Sequence, residues 1–149
     1  MRRFLIPLVL GVILLAVPGA ARADYFFVAM LSGANEVPPT DTDGEGIALV
    51  ILNDAGDTLT VDVYWDDLTG PAMAAHIHIG AADIAGPVVI PFSGFPSAVG
   101  GHFSNQYTAA DVMGGVTFDD VIAALFAGNT YVNIHTAMYP GGEIRGQNQ

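Results

Sequence analysis

Short apolar segments separated by glycine, proline, asparagine and aspartate recur along the chain from residue 24 onward. Segments of this length, bounded by turn-forming residues, are typical of β-strands. The clearest is segment 58–65, in which apolar side chains occupy every second position: Leu59, Val61, Val63 and Trp65. Because successive side chains of a strand point to opposite faces, this alternation predicts a strand with one buried face and one wet face.

The same pattern predicts further strands and a single helix. Segment 86–91 is apolar and bracketed by prolines, which predicts a strand at a sheet edge. Thr117, followed by acidic residues and an apolar stripe, predicts a capped helix that ends at Gly128. Other strands are expected at 25–31, 47–52, 73–79, from 102 and from 130. The chain is therefore expected to be all-β, a β-sandwich or Greek-key barrel with one short crossover helix.

The first 23 residues have the pattern of a signal peptide. Arg2 and Arg3 precede a mostly apolar run at 4–17, and Ala21-Arg22-Ala23 matches a small-residue cleavage site. Fourteen residues are fewer than the roughly 20 that a membrane-spanning helix needs. We therefore expect no stable membrane span, cleavage near Ala23, and export to the periplasm or the extracellular space. The expected mature chain is one domain at 24–149; an uncleaved membrane anchor is the alternative.

The charge of the expected mature chain excludes one class of partner. Arg145 is its only basic residue against fifteen acidic residues, a net charge of about −14 with neutral histidines. Such a surface repels phosphate backbones and attracts cations, so nucleic-acid binding is excluded and a metal ion becomes a candidate. The alternative is that the acidity only keeps an apolar chain in solution. The chain has no cysteine, so a metal site must use nitrogen and oxygen ligands.

Four histidines carry the candidate chemistry. His76 and His78 are two residues apart on one strand and share a face, while the apolar pattern of the last long strand places His135 outside the core. If the two strands are neighbours, three imidazoles converge, and imidazole is a common ligand of copper and zinc. His102 follows a Gly-Gly pair that could bend it inward. The alternative is that these histidines are hydrogen-bonding surface residues.

Arg145 has two candidate roles. It could orient an anion beside the histidines, or it could form an ion pair with Glu143, two residues away, or with Glu36 in the proline-containing loop. A single cation among so many acids favours the structural ion pair.

Five motifs, distributed over the expected mature chain, resemble the CHRD (chordin-type) domain family. They read Leu-Ser-Gly-Ala-Asn-Glu-Val-Pro-Pro at 31–39, Ala-His-Ile-His-Ile-Gly-Ala at 75–81, Gly-Pro-Val at 86–88, Tyr-Val-Asn-Ile-His-Thr at 131–136 and Pro-Gly-Gly-Glu-Ile-Arg-Gly-Gln at 140–147. The resemblance implies a secreted, immunoglobulin-like β-barrel and says little about activity.

The histidine strand is also similar to that of copper–zinc superoxide dismutase. This resemblance implies that His76, His78 and His135 are copper ligands and that His102 is a candidate bridging ligand. The chain departs from that family by lacking the further zinc-loop histidines and the disulfide cysteines, and its charge would repel superoxide.

The expected function is accordingly that of a secreted, non-catalytic CHRD-domain protein that binds copper in preference to zinc. The alternatives are a weak superoxide dismutase-like copper redox enzyme and a metal-free structural module that binds an unknown protein partner.

Overall fold

The computed structural model describes residues 23–149, which form eight strands, one α-helix and two short 3-10 turns. The strands are β1 Tyr25–Ser32, β2 Glu45–Leu52, β3 Leu59–Asp66, β4 Ala72–Ile79, β5 Val88–Pro91, β6 Gly101–Tyr107, β7 Thr130–Thr136 and β8 Ile144–Gln147, and the helix is α1 Phe118–Phe126. Residues 1–22, which carry most of the predicted signal peptide, lie outside the described part of the chain.

The strands form one antiparallel sheet in the order β5-β4-β7-β8-β1-β2-β3-β6, nearly closed into a barrel. The predicted all-β class is confirmed, and β5 lies at an edge as its flanking prolines predicted. Helix α1 makes the predicted crossover, because it connects β6 at the other edge to β7 beside β4. Within residues 23–149 no helix has both the length and the apolar character that crossing a bilayer requires.

The core follows the predicted alternation. All four apolar residues of β3 are buried, and Val132 and Ile134 of β7 are fully buried on the inner face. Since neighbouring residues of a strand point in opposite directions, Tyr131, Asn133 and His135 lie on the other face of β7. The strand that was predicted to carry a metal ligand therefore presents it away from the hydrophobic core.

Helix α1 begins and ends where its sequence predicts. The Thr117 hydroxyl accepts a hydrogen bond from the Asp120 amide, and the Asp120 carboxylate accepts one from the Thr117 amide. This reciprocal pair satisfies amides that the first turn leaves without partners. Gly128 has φ +68°, a conformation that favours glycine after a helix. The capped helix and Gly128 thus lead directly into β7.

Candidate metal centre

Three histidines from β4 and β7 form one cluster on the outer side of the barrel wall. Strands β4 and β7 are antiparallel neighbours, in which His76 is directly opposite Asn133 and His78 is opposite Tyr131. His135 is two residues beyond Asn133 and so lies diagonally across from His76, within reach of a side-chain contact. One potential ligand atom from each of the three histidines lies within 4.8 Å of the other two.

Two backbone carbonyls fix the orientation of two of these rings. His78 Nδ1 lies 2.9 Å from the Gly86 carbonyl oxygen, and His135 Nδ1 lies 3.1 Å from that of Pro140. Since a carbonyl oxygen can only accept, both Nδ1 atoms donate, and the Nε2 atom of each neutral ring keeps its lone pair. Metal-bound histidines are commonly held in this way, with the second ring nitrogen donating to a carbonyl.

His76 lies against the Nε2 atom of His135. Its Nδ1 atom lies 3.0 Å from His135 Nε2. Because that Nε2 atom carries no hydrogen, His76 is the donor of this hydrogen bond. A metal–imidazole bond is about 2.0 Å long, so two such bonds span at most about 4 Å, and a separation of 3.0 Å suits two ligands of one ion. Binding would require the His76 proton to move from Nδ1 to Nε2.

His78 supplies the observation that favours a ligand most directly. Its Nε2 atom is buried and has no hydrogen-bond partner. Buried polar atoms in proteins nearly always have a partner, because an unpaired one loses its hydration without compensation. A metal ion shared with His76 and His135 would satisfy this nitrogen, so the residues present fit a bound metal.

Burial also keeps the cluster neutral. Burial, together with smaller effects of the neighbouring His135 and His78, lowers the pKa of His76 to about 4. Burial likewise lowers the pKa of His78 and that of His135. At neutral pH all three rings are therefore uncharged, which is the form that binds metal. Three nitrogen ligands with a further position open are typical of copper and zinc centres.

Arg145 lies behind the cluster and, in the described part of the chain, forms no salt bridge with Glu143 or Glu36, although its charge opposes the rise that burial causes in the pKa of Glu36. Its guanidinium donates to the carbonyl oxygens of Ile84 at 3.0 Å and Ala81 at 2.8 Å and packs over the ring of Tyr131. Within residues 23–149 the one contact at salt-bridge distance is instead between His102 and Asp62, and it is an ion pair only when His102 is protonated. For Arg145 the reason is that a covering loop brings backbone carbonyls to the buried guanidinium, which can donate to them.

Glu143 serves a different network. Its fully buried carboxylate accepts from the Thr42 hydroxyl at 2.7 Å, the Thr69 amide at 2.7 Å, the Thr69 hydroxyl at 2.8 Å and the Thr136 hydroxyl at 2.5 Å. Burial alone would raise the pKa of Glu143, but these hydrogen bonds outweigh burial and lower it. Glu143 therefore joins two loops to the end of β7 and takes no part in the histidine cluster.

Glu36 lies on the Asn133 side of the cluster. Burial raises its pKa, against the opposing effects of the Arg145 charge and the Asn133 side chain. Asn133 in turn has its Oδ1 atom 3.0 Å from His135 Nε2. Two of the three charged groups singled out in the sequence, Glu36 and Arg145, are thus each separated from the histidines by one side chain.

His102 is not part of the cluster. It lies on edge strand β6, stacks on Tyr64 with ring centroids 4.2 Å apart, and has Nε2 3.3 Å from an Asp62 carboxylate oxygen. The cluster of close ring nitrogens comprises His76, His78 and His135 and does not include His102. The expectation that His102 contributes a bridging ligand is therefore not supported by its position, because its Gly-Gly pair starts a regular strand rather than bending it inward.

Sequence reasoning missed the groups that hold the ligands in place. Tyr131 and Asn133 share the outer face of β7 with His135, so the alternation of that strand is a signal that could have identified them. The carbonyls of Gly86 and Pro140 carry no such signal, because every residue has a carbonyl and only the folded loop selects these two.

One comparison with known proteins gives a match. The model of the CHRD domain family matches residues 27–148, nearly all of the part that the structure describes. No curated protein and no solved structure gives a significant match. The resemblance to copper–zinc superoxide dismutase finds no support in these comparisons and stays a prediction.

Proposed function

The chain belongs to the CHRD domain family, and we propose that it is an exported, non-catalytic member that binds one copper ion through His76, His78 and His135. The observation that carries this proposal is the buried, unpartnered Nε2 atom of His78, in a cluster where one ring nitrogen from each of three histidines lies within 4.8 Å of the other two. Nitrogen sites bind Cu²⁺ more tightly than Zn²⁺, so zinc is the second choice. The acidic surface favours the approach of a cation.

A second candidate function is a weak copper redox enzyme. Its support is that three protein ligands leave a coordination position open to a small molecule. A bound copper ion would supply one-electron chemistry at that position. The negative charge of the chain disfavours superoxide as the substrate, because like charges slow the encounter. The binding function is therefore preferred over catalysis.

Metal content and a copper titration test the proposal. Protein exported by its own leader and purified without chelator or nickel resin should bind one copper per chain, with the paramagnetic spectrum of a type 2 site. The metal-free protein should bind Cu²⁺ with a submicromolar Kd. Absence of metal together with no binding below micromolar concentrations would contradict the site and leave a metal-free interaction module as the better description.

Export is proposed on the pattern of residues 1–23 and is tested separately. Expression of the full chain in a bacterium should release a processed protein whose N-terminal sequence begins at Asp24, immediately after Ala23. Mass spectrometry of the periplasmic and culture fractions measures this directly. Recovery of the intact chain in the membrane fraction would instead support an uncleaved anchor.

A further inference from the structure

Three side chains from three adjacent strands are stacked behind the histidine cluster. Strand β7 lies between β4 and β8, so Tyr131 has His78 on one neighbouring strand and Arg145 on the other. The His78 and Tyr131 rings are nearly parallel, at an interplanar angle of 9° with centroids 4.6 Å apart. The Arg145 guanidinium carbon lies 3.4 Å from the Tyr131 ring centroid. The histidine is therefore packed against a ring that is itself held by a cation.

The same residues hold the loop that orients His78. The Gly86 carbonyl accepts from His78 Nδ1 at 2.9 Å and from the Tyr131 hydroxyl at 3.3 Å. The Gly86 amide donates to the Tyr131 hydroxyl oxygen at 3.1 Å. Arg145 also binds this loop, because its guanidinium donates hydrogen bonds to the carbonyls of Ala81 and Ile84. Tyr131 and Arg145 thus fix both the ring of His78 and its hydrogen-bond acceptor.

Gly86 approaches β4 so closely that no side chain could be accommodated. A Cβ atom at Gly86 would lie only 1.7 Å from the carbonyl oxygen of Ile79. The loop backbone is therefore packed directly against the end of β4 at the residue whose carbonyl accepts from His78.

Burial of the arginine is not explained by barrel packing alone. Arg145 is 1 % exposed and has no ion pair within residues 23–149. A buried charge is often less favourable than an apolar side chain of similar size, unless hydrogen bonds and stacking offset its lost hydration. The side chain of Arg145 packs on Tyr131 and donates to the loop beside His78 and to Gln147. Burial raises the pKa of Glu36, and the charge of Arg145 acts to lower it.

From these contacts we infer that Tyr131 and Arg145 are positioning residues for His78, holding its Nε2 atom toward the shared metal position. This inference rests on the proposed copper site and adds the residues that preorganise it. Outer-shell partners of metal ligands typically account for roughly 10- to 100-fold in metal affinity. The ring of Tyr131 is the direct support, and Arg145 acts through that ring and through the loop.

Two substitutions at Tyr131 distinguish the contribution of its ring from that of its hydroxyl. Tyr131→Leu removes the stack and both hydroxyl contacts, so we expect the copper Kd to rise by about 10- to 100-fold, with changed copper hyperfine splitting in the paramagnetic spectrum. Tyr131→Phe keeps the ring and should restore most of the affinity. Arg145→Lys keeps the charge but loses the flat guanidinium. Like Tyr131→Leu, it should raise the copper Kd.

Tyr107→Leu is the matched control. Tyr107 is as deeply buried as Tyr131, at 2 % against 3 % exposed, but it lies on β6 and stacks on Phe92. Its replacement should lower stability and leave the copper Kd and spectrum unchanged, which distinguishes positioning from a general packing effect.

The outcomes separate this inference from the proposed function. If the wild type binds one copper and Tyr131→Leu binds it with the same Kd and spectrum, the positioning role is overturned while the site stands. If the wild type binds none, the site itself fails. Should Tyr131→Leu not fold, Arg145→Lys decides: a folded variant with wild-type affinity and spectrum overturns the role of the stack, and a weakened, spectrally altered one supports it.

Discussion

Replacing His78 and His135 together by alanine is expected to abolish stoichiometric copper binding while the barrel remains folded. The double variant keeps only His76 of the three converging imidazoles. Its affinity should fall well beyond the roughly 10- to 100-fold that loss of an outer-shell partner causes, because two direct ligands are missing. The fold should persist because both side chains lie on the face opposite Ile77 and Ile134, which are buried in the core. Chelator-competition titration measures the first effect, and thermal unfolding followed by circular dichroism measures the second.

His102→Ala is the matched control for this pair. His102 is an exposed histidine on β6 that lies outside the cluster of His76, His78 and His135. That variant should still bind one copper per chain with unchanged affinity. Full stoichiometric binding by the double variant would rule out the cluster as the copper site, and loss of binding in His102→Ala would mean that the ligand set is different.

Glu143→Ala is expected to give the largest loss of stability, about 3–5 kcal/mol in the free energy of unfolding, since breaking a buried hydrogen-bond network belongs among the most damaging substitutions. The change leaves hydrogen-bond donors of three threonines without their acceptor: Thr42, Thr69 and Thr136. Urea unfolding of metal-free protein measures the loss. The exposed Glu45 on β2 is the matched control, and Glu45→Ala should change stability by no more than about 0.5 kcal/mol.

The acid stability of Glu143→Gln tests the charge of this network. Because the pKa of Glu143 is lowered on folding from its usual 4.5, the stabilisation is fully present above pH 4.5 and is lost as the pH falls through the lowered value. The wild type should therefore exceed Glu143→Gln in stability at pH 7, and that difference should shrink below pH 4.5. A difference that stays constant down to acid pH would show that the ionised carboxylate contributes nothing.

Local patterns in the sequence were sufficient for seven of the eight strands, the helix and the faces of the cluster histidines, but not for β8. Alternation in β3 predicted its buried side, and the core pair Val132 and Ile134 placed His135 on the outer face. Thr117 predicted the cap of α1. These predictions succeeded because side-chain direction in a strand and hydrogen bonding in a first helical turn depend on residues only a few positions apart.

The meeting of the histidines was decided by tertiary structure. His76 and His135 lie in contact because β4 and β7 are neighbours, although strands β5 and β6 and helix α1 intervene in the chain. The same order places His102 elsewhere. No local pattern specifies which strands become neighbours, because that pairing depends on how all the strands and loops pack around one core.

By itself, the sequence determined an all-β sandwich or barrel, its CHRD motifs and a set of outward-facing histidines. Only the tertiary structure selected three of them, gave Glu143 its threonine partners and set Arg145 behind Tyr131. The partners of a buried charge are those that the surrounding loops place beside it. For Arg145 they are the carbonyls of Ala81 and Ile84 and the ring of Tyr131. Proximity in sequence had pointed to Glu143 instead.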